Sequence, residues 1–206
     1  MIIVISILIS FLCGSIPTGY LIAKNFYGTD IRTKGSGNIG STNMKRIIGL
    51  KAAIITQIID IVKGIIPVAA GMYLISVVKL PVSDNVYLSI LAIAAILGHN
   101  FTPFLSFNGG KGVNTTAGAF VLIAPIPTVT AVAMHYILKP LIKVVAIRSI
   151  LGGLILVIMC TLMGYSSQII IAAIAACMLI VLRHIGNLSK LLSKDDSVGQ
   201  TGINMK

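Results

Sequence analysis

Apolar runs, each close to the length that crosses a bilayer, recur along most of this 206-residue chain. They are found at 2–23, 47–78, 86–106, 113–124, 128–147, 149–164 and 167–183. A helix needs about 20 predominantly apolar residues to cross roughly 30 Å of hydrocarbon. A soluble domain with 56% hydrophobic and 10% charged residues could not hide that apolar surface in one core. The chain is therefore predicted to be an all-α polytopic membrane protein, one integral-membrane domain over residues 1–206.

Basic residues mark one end of these segments. They lie in 24–51, at Lys111, in 139–148 and from Arg183 onward. The connections near 79–85 and 164–167 carry only Lys79 and Asp84. Because basic loops stay in the cytoplasm, we expect about seven transmembrane helices, with the N-terminus outside and the C-terminus cytoplasmic.

The count depends on 113–138. Pro125 and Pro127 either kink one helix there or separate two short ones. A single span would put the basic segment 139–148 outside, so two pieces are preferred, and they are short enough to form a hairpin that stops partway.

The formal net charge is +11, from sixteen Lys and Arg against five acidic residues. In a soluble protein this charge would suggest nucleic-acid binding, but so apolar a chain has no room for a nucleic-acid domain. Anchoring by positive loops could explain the charge alone. Alternatively, some of the cations bind an anionic substrate, and the two roles are compatible because both put cations on the cytoplasmic side.

The stretch KGSGNIGSTNMKR contains Gly35-x-Gly37-x-x-Gly40, the glycine pattern of a dinucleotide-binding loop. That fold places the glycines between a strand and a helix, whereas here membrane segments flank them. Asp60, at the distance of a ribose contact, lies inside the second segment. The motif GGKG at 109–112 also fails as a P-loop, because Gly rather than Ser or Thr follows Lys111.

Both glycine stretches nevertheless suit an anion, since loop N–H groups and helix N-termini attract phosphate. The predicted N-cap residues are Ser41, Thr42 and Asn43 before one helix, and Asn114, Thr115 and Thr116 before the other. Arg46 and Lys111 add full charges. A third polar cluster, RHIGN at 183–187, places His184 and Asn187 on one helical face. Solvated loops and an interfacial histidine are the simpler alternatives, but three clusters at one membrane face favour a shared site.

The stretches GSGNIGSTNMKR, GHNFTPFLSFNGGKGVNTT and RHIGNL resemble, in order and spacing, the three signature motifs of the bacterial acyl-phosphate:glycerol-3-phosphate acyltransferases, the PlsY family. The resemblance covers essentially the whole chain. It implies a seven-span enzyme of the bacterial inner membrane whose site faces the cytoplasm. Such an enzyme transfers a fatty acyl group from acyl phosphate to the sn-1 hydroxyl of glycerol 3-phosphate. The product is lysophosphatidic acid, the first intermediate of phospholipid synthesis, made without coenzyme A.

The resemblance also implies the site. Its catalytic residues are Ser36, Arg46, Lys111, His184 and Asn187. Its substrate-binding residues are Asn38, Thr42, Asn43, Gly109, Gly110 and Ser149. Departures from the family pattern are Asn108 in place of a Lys, Asn114 in place of a small residue, the absence of a Ser-rich stretch around Ser149, and the acidic pair Asp195–Asp196.

The expected mechanism is direct attack by the glycerol hydroxyl, because an acyl phosphate is a mixed anhydride with a good leaving group. Lys111 and the glycine-loop amides would hold one phosphate, and Arg46 with Ser36 the other. His184, supported by Asn187, either binds phosphate or takes the hydroxyl proton, and the phosphate role is preferred. The sequence has no G-x-S-x-G elbow, so a serine acyl-enzyme is not expected. The few acidic residues do not cluster, so no metal or other cofactor is expected.

Two alternatives remain open. Asp60 and Lys63, at i and i+3 inside a span, are either functional or a structural ion pair, and the pair is preferred. A transporter for a phosphate-bearing solute would also use apolar spans and basic loops, but it needs polar residues along a path to both faces.

Overall fold

The computed structural model describes the backbone of residues 1–192 and the side chains as far as residue 187, and this part of the chain contains helices and no strand. The helices are α1 (Ile2–Ser15), α2 (Thr18–Tyr27), α3 (Ser41–Ile47), α4 (Leu50–Val77), α5 (Asp84–Asn100), α6 (Val113–Ile123), α7 (Pro125–Ile137), α8 (Val145–Leu162) and α9 (Ser167–Leu192). Short 3₁₀ turns occur at Ile31–Thr33 and Pro103–Leu105. The all-α prediction is confirmed, while Asp195, Asp196 and the C-terminus lie outside the described residues.

Four stretches are long and apolar enough to cross a membrane as single helices: α4, Asp84–Leu105, α8 and Ser167–Asn187. The pair α1–α2, bent by 41°, would make a fifth. Large apolar side chains such as Ile58, Ile158 and Ile171 are exposed on the outer faces of these helices, as lipid contact requires. Seven crossings and the orientation of the termini stay predictions.

The first predicted span, 2–23, is broken. Pro17 disfavours the α conformation at Ile16 and supplies no N–H, so α1 ends at Ser15 and α2 begins at Thr18. The freed carbonyl oxygens have new partners: Thr102 Oγ1 donates to Ser15 at 2.6 Å, and Lys63 Nζ donates to Ile16 at 2.7 Å.

Other predicted boundaries also move. Segment 47–78 begins at Leu50, because Gly49, at φ 128°, separates the seven-residue α3 from α4. The predicted division near 148 lies inside α8, which begins at Val145. The real break falls earlier, between Ile137 and Val145, where Pro140 and the lysines of the connection interrupt the helix.

Residues 113–138 form two helices, as preferred from the sequence. The chain leaves the helical conformation at Ala124, which has φ −146° and ψ 67°, and Pro125 starts α7. With 11 and 13 residues, α6 and α7 reach about 16 and 20 Å, less than the roughly 30 Å of a hydrocarbon core. Ala124 is fully buried against the bundle core. The break at Ala124 is therefore packed inside the protein, between two helices that are each shorter than a full span.

Close helix crossings hold the bundle together. Helix α1 packs on α5, and α4 packs on α6. A methyl group on Gly14 would collide with the backbone of Ala95, and one on Gly118 would collide with the backbone of Ile61. Small residues at such crossings let helix backbones approach, as is common in membranes. Helix α8 packs against both α7 and α9.

Candidate active site

The three sequence motifs meet at one end of the bundle. The first occupies the α2–α3 loop and α3, the second the α5–α6 connection, and the third the end of α9. Two sets of hydrogen bonds join them: Asn114 Nδ2 donates to Ser41 Oγ at 3.3 Å, and Arg183 donates to the carbonyls of Gly109 and Gly110. The convergence expected from the three polar clusters is thus present.

Asn43 organises the first loop. It is buried, and its Oδ1 accepts from the N–H of Ser36 at 3.0 Å. Its Nδ2 lies within hydrogen-bond distance of three loop carbonyls, those of Ile31, Lys34 and Asn38, at 3.2, 3.0 and 2.9 Å. The amide of Asn43 is fully used by the loop, so the side chain shapes the loop rather than facing a ligand.

The polar residues around Asn43 point outward. Ser36, Thr42 and Arg46 are exposed, and Asn38 is half-buried with its Oδ1 accepting from the N–H of Gly40 at 2.9 Å. Helix α3 begins at Ser41 with Gly40 at the cap position, so none of the predicted N-cap side chains caps it. Instead Asn38 closes a local turn just before the helix.

The second loop is fastened to the end of α5. The N–H of Gly109 donates to Asn100 O at 3.2 Å, and that of Gly110 donates to His99 O at 3.0 Å. Their carbonyls accept from Arg183. Because a glycine offers only these groups, neither Gly109 nor Gly110 has a free donor for a phosphate in this conformation. A methyl group on Gly110 would also collide with the His99 ring.

Helix α6 begins one residue earlier than its predicted caps. Gly112, at φ 78°, holds the cap position, so Asn114, Thr115 and Thr116 form the first turn and do not cap it. Asn114, a departure from the family pattern, bonds to Ser41 across the site. Asn108, the other departure in this loop, is exposed and donates to Ser106 O at 3.1 Å.

Arg183 ties α9 to this loop. Its Nη2 donates to Gly109 O at 2.8 Å and its Nε donates to Gly110 O at 3.0 Å. The guanidinium also lies 5.3 Å from the ring centroid of Phe101. Arg183 stands beside His184 in the third motif, but the sequence alone did not reveal this role, because a contact between residues so far apart in the chain leaves no local signal.

Lys111 lies half-buried among other cations. Burial, followed by the positive charges of Arg183 and Arg46, lowers the pKa of Lys111 to about 8. Those charges act across the motifs, so Arg46 from α3, Lys111 from the second loop and Arg183 from α9 share one electrostatic environment.

The described residues contain few carboxylates to balance these charges. Within that part of the chain, ion pairs join Arg32 to Asp30 at 2.6 Å, on the surface, and Lys63 to Asp60 at 2.8 Å, inside the bundle. The cations of the site have no such partner there. Nor do the described residues hold a group of three His, Cys, Asp or Glu side chains that could bind a metal.

His184 is buried, and its Nδ1 lies 2.8 Å from Ile180 O, one turn earlier. A carbonyl only accepts, so Nδ1 carries the proton and the lone pair of the neutral ring is on Nε2. The expected support from Asn187 is absent from the described contacts. Asn187 is exposed, and the Ile180 carbonyl orients the imidazole instead.

A cavity of about 90 Å³ opens beside the first turn of α6. Its wall is mainly apolar, with side chains from α4, α6, α7, α8 and α9. Ser149, buried near the start of α8, lines this wall together with Asn114 and Thr116. The structure thus brings Ser149 to the second motif, although its side chain makes no hydrogen bond to the motif residues within the described part of the chain.

Asp60 and Lys63 form an ion pair inside the bundle, with Lys63 Nζ 2.8 Å from Asp60 Oδ1. Both are buried, and Asp60 Oδ1 also lies 3.7 Å from His99 Nδ1. Lys63 caps the broken end of α1 at Ile16. The pair therefore connects the α1–α2 break to the helix end on which the Gly109–Gly110 loop is fastened.

The described residues form a helical bundle with apolar outer faces and a group of cations at one end. These features define the class of the protein, an integral membrane protein with a site at one face. Residues 4–194 match the family described as Glycerol-3-phosphate acyltransferase. A Glycerol-3-phosphate acyltransferase of Clostridium acetobutylicum is 52% identical over 195 residues, covering 95% of this chain and 98% of the relative. One of Endomicrobium trichonymphae is 38% identical, with 94% of each chain covered.

Solved structures agree. The crystal structure of PlsY (YgiH), an integral membrane glycerol 3-phosphate acyltransferase, in its glycerol 3-phosphate form matches with a TM-score of 0.84 and 29% identity, covering 94% of this chain and 93% of that one. The lysophosphatidic acid form of the same protein matches with a TM-score of 0.83 and 28% identity. The chain belongs to the glycerol-3-phosphate acyltransferase family and is an integral membrane acyltransferase.

Proposed function

We propose that this protein transfers a fatty acyl group from acyl phosphate to the sn-1 hydroxyl of glycerol 3-phosphate, giving lysophosphatidic acid and inorganic phosphate. The observation that carries the proposal is the meeting of the three motifs through the Asn114–Ser41 and Arg183–glycine hydrogen bonds, which brings cations of all three motifs to one end of the bundle. Arg46, Lys111 and Arg183 form no ion pair with a carboxylate among the described residues. Both proposed substrates carry phosphate, and an unbalanced cationic site beside an apolar cavity suits a phosphate attached to an acyl chain.

Lys111 and Arg46 are the proposed phosphate ligands. Ser36 lies near Arg46 through Asn43, which holds the Ser36 N–H and stands one helical turn before Arg46. The N–H groups of Gly109 and Gly110 are engaged, so the phosphate beside Lys111 would use the unpaired amides in the first turn of α6 instead. Thr42 and Asn38 would complete the polar rim, with Gly109, Gly110 and Asn43 setting its shape.

His184 is the proposed general base. The Ile180 carbonyl holds the proton on Nδ1, which leaves Nε2 able to accept the hydroxyl proton of glycerol 3-phosphate. This favours the base role over the phosphate role preferred from the sequence. The glycerol oxygen forms a new ester bond to the acyl carbon, the bond from that carbon to the phosphate oxygen breaks, and the proton passes to the departing phosphate.

Direct attack without an acyl-enzyme is part of the proposal. No serine or cysteine hydrogen-bonds to a histidine within the described residues, and Cys160 and Cys177 are packed in the core. An adjacent base of this kind is how a serine nucleophile is commonly activated. The preformed leaving group of acyl phosphate removes the need for coenzyme A.

The proposed setting is the inner membrane of a bacterium, with the site facing the cytoplasm and residues 1–206 forming one domain. The segments that meet at the site carry several of the chain's basic residues, Arg32, Lys34, Lys45, Arg46, Lys111 and Arg183, which supports cytoplasmic exposure.

The test uses purified protein in lipid vesicles, given acyl phosphate and labelled glycerol 3-phosphate. We expect labelled lysophosphatidate. Absence of product, together with uptake of labelled glycerol 3-phosphate into the vesicles, would replace the acyltransferase proposal with a transporter.

A further inference from the structure

Arg183, the cation of the third motif, forms its hydrogen bonds inside the protein. Its Nη2 and Nε donate to the carbonyl oxygens of Gly109 and Gly110, the residues directly before Lys111. The aromatic ring of Phe101 packs against the guanidinium. A group held by three partners in this way is poorly placed to reach a ligand and well placed to hold the loop.

The carbonyls that Arg183 engages matter for an anion site. Carbonyl oxygens carry negative partial charge, so two of them turned toward a bound phosphate would repel it. The N–H groups of the same glycines are bonded to Asn100 and His99 on the opposite side. With α5 holding the N–H groups and Arg183 holding the oxygens, each of the three peptide planes between Asn108 and Lys111 is held by a hydrogen bond, which fixes the direction in which the chain enters Lys111.

We propose that Arg183 is a positioning residue for Lys111: it holds the Gly109 and Gly110 carbonyls away from the bound phosphate and fixes Lys111 where it meets that phosphate. The expected effect on KM for glycerol 3-phosphate rests on the proposed function, whereas the placement of Lys111 rests on geometry alone. Arg183 and His184 are neighbours on α9, so the same contact also sets the placement of His184 relative to Lys111.

Lysine is a poor substitute for this arginine. A guanidinium has donors in a rigid fork and can bond to two carbonyls at once, whereas an ammonium is a compact charge on a flexible stem. Replacing Arg183 with Lys therefore keeps the positive charge but loosens the clamp, and replacing it with Gln removes the charge. The two variants separate geometry from electrostatics.

The charged and titratable groups around Lys111 come from several elements: Arg46 on α3, His99 on α5, Arg183 and His184 on α9, with the Asp60–Lys63 pair of α4 behind His99. A neighbouring cation lowers the pKa of a lysine. Loss of the Arg183 charge should therefore raise the pKa of Lys111 above its value of about 8.

The experiment measures Lys111 in two ways, for wild type, Arg183→Lys, Arg183→Gln and the control Lys143→Gln, which removes an exposed charge elsewhere. The first readout is the pH dependence with which a small amine-reactive reagent labels Lys111, followed by mass spectrometry without substrate. The second is KM and kcat for glycerol 3-phosphate. The first does not depend on the proposed function, so failure of that function would leave it intact.

We expect Arg183→Gln to raise the pKa of Lys111 and to raise KM about 10- to 100-fold, the range of a lost charged hydrogen bond, with a smaller change in kcat. Arg183→Lys should restore the pKa of Lys111 but leave KM raised, and Lys143→Gln should match wild type. If Arg183→Gln does not fold, Arg183→Lys decides. A wild-type KM in folded Arg183→Lys, or an unchanged Lys111 pKa in folded Arg183→Gln, overturns the proposal.

Discussion

At the scale of single residues, Lys111 is a cation of the site whose charge depends on pH. Its lowered pKa, caused first by burial and then by Arg183 and Arg46, means that the free protein loses this charge as pH rises through about 8. An arginine in its place would remain charged throughout this range.

The first prediction follows from that sign. Below about pH 8 Lys111 is protonated and binds phosphate, so kcat/KM for glycerol 3-phosphate should be level between about pH 7 and 8 and fall by about tenfold per pH unit above it. Lys111→Arg should remove the decline, even if its absolute activity is lower. A profile for the wild type that stays level to about pH 10, where an ordinary lysine would begin to lose its charge, would contradict the role of Lys111.

His184 gives a second prediction at this scale. His184→Gln keeps a polar group near the same place but provides no base. We expect kcat to fall by about 10²- to 10⁴-fold while KM for glycerol 3-phosphate changes little, as measured by steady-state kinetics. A large rise in KM with kcat retained would restore the phosphate-binding role.

The sequence predicted some of this site and missed the rest, for a physical reason. Lys111 and His184 could be proposed from the sequence because polar and glycine-rich clusters beside apolar spans are unusual, and the structure brings their two motifs together. The organising contacts of Asn43 and Arg183 depend on which carbonyls the folded loops bring within reach. No local pattern specifies that geometry.

At the scale of the helices, the apolar runs predicted that helices exist but not where each one stops. Pro17 lay visibly inside the first predicted span, yet the break needed Thr102 and Lys63 to take up the freed carbonyls. Similarly, hydroxyl and amide residues suggested helix caps at Ser41 and Asn114, whereas glycines hold both positions. Boundaries depend on tertiary partners that apolar periodicity does not contain.

The crossing of α1 and α5 gives a third prediction. Gly14→Ala would place a methyl group into the backbone of Ala95, forcing the helices apart at a cost of about 1–3 kcal/mol. In Gly152→Ala the new methyl group would lie 3.6 Å from Ala131 O, an ordinary contact. Thermal unfolding in detergent should show a lower Tm for Gly14→Ala and an unchanged or higher Tm for Gly152→Ala. Equal Tm values would contradict the close crossing.

The Asp60–Lys63 ion pair gives the fourth prediction. Lys63→Met leaves a buried carboxylate unpaired and removes the donor to Ile16 O, which should cost about 3–5 kcal/mol. Adding Asp60→Asn removes the unpaired charge, so the double variant should have a higher Tm than Lys63→Met alone. A double variant that unfolds as the sum of two independent losses would show that the pair is not coupled.

At the scale of the whole molecule, the bundle separates two environments. Apolar side chains cover its outer faces, the polar groups of three motifs collect at one end, and an apolar cavity opens beside the second of these motifs. This arrangement suits a reaction between a water-soluble phosphate and a lipid-soluble acyl donor, since each can reach the site from its own phase. A transport path would need comparable polarity toward the opposite end.

The fifth prediction concerns the acyl donor and tests the central claim most directly. Purified protein in vesicles receives labelled glycerol 3-phosphate with either acyl phosphate or the matching acyl-coenzyme A, and lysophosphatidate and inorganic phosphate are both quantified. We predict lysophosphatidate and phosphate in equal amounts from acyl phosphate, and no lysophosphatidate from acyl-coenzyme A. Product formed from acyl-coenzyme A, or from acyl phosphate without matching phosphate release, would contradict the account.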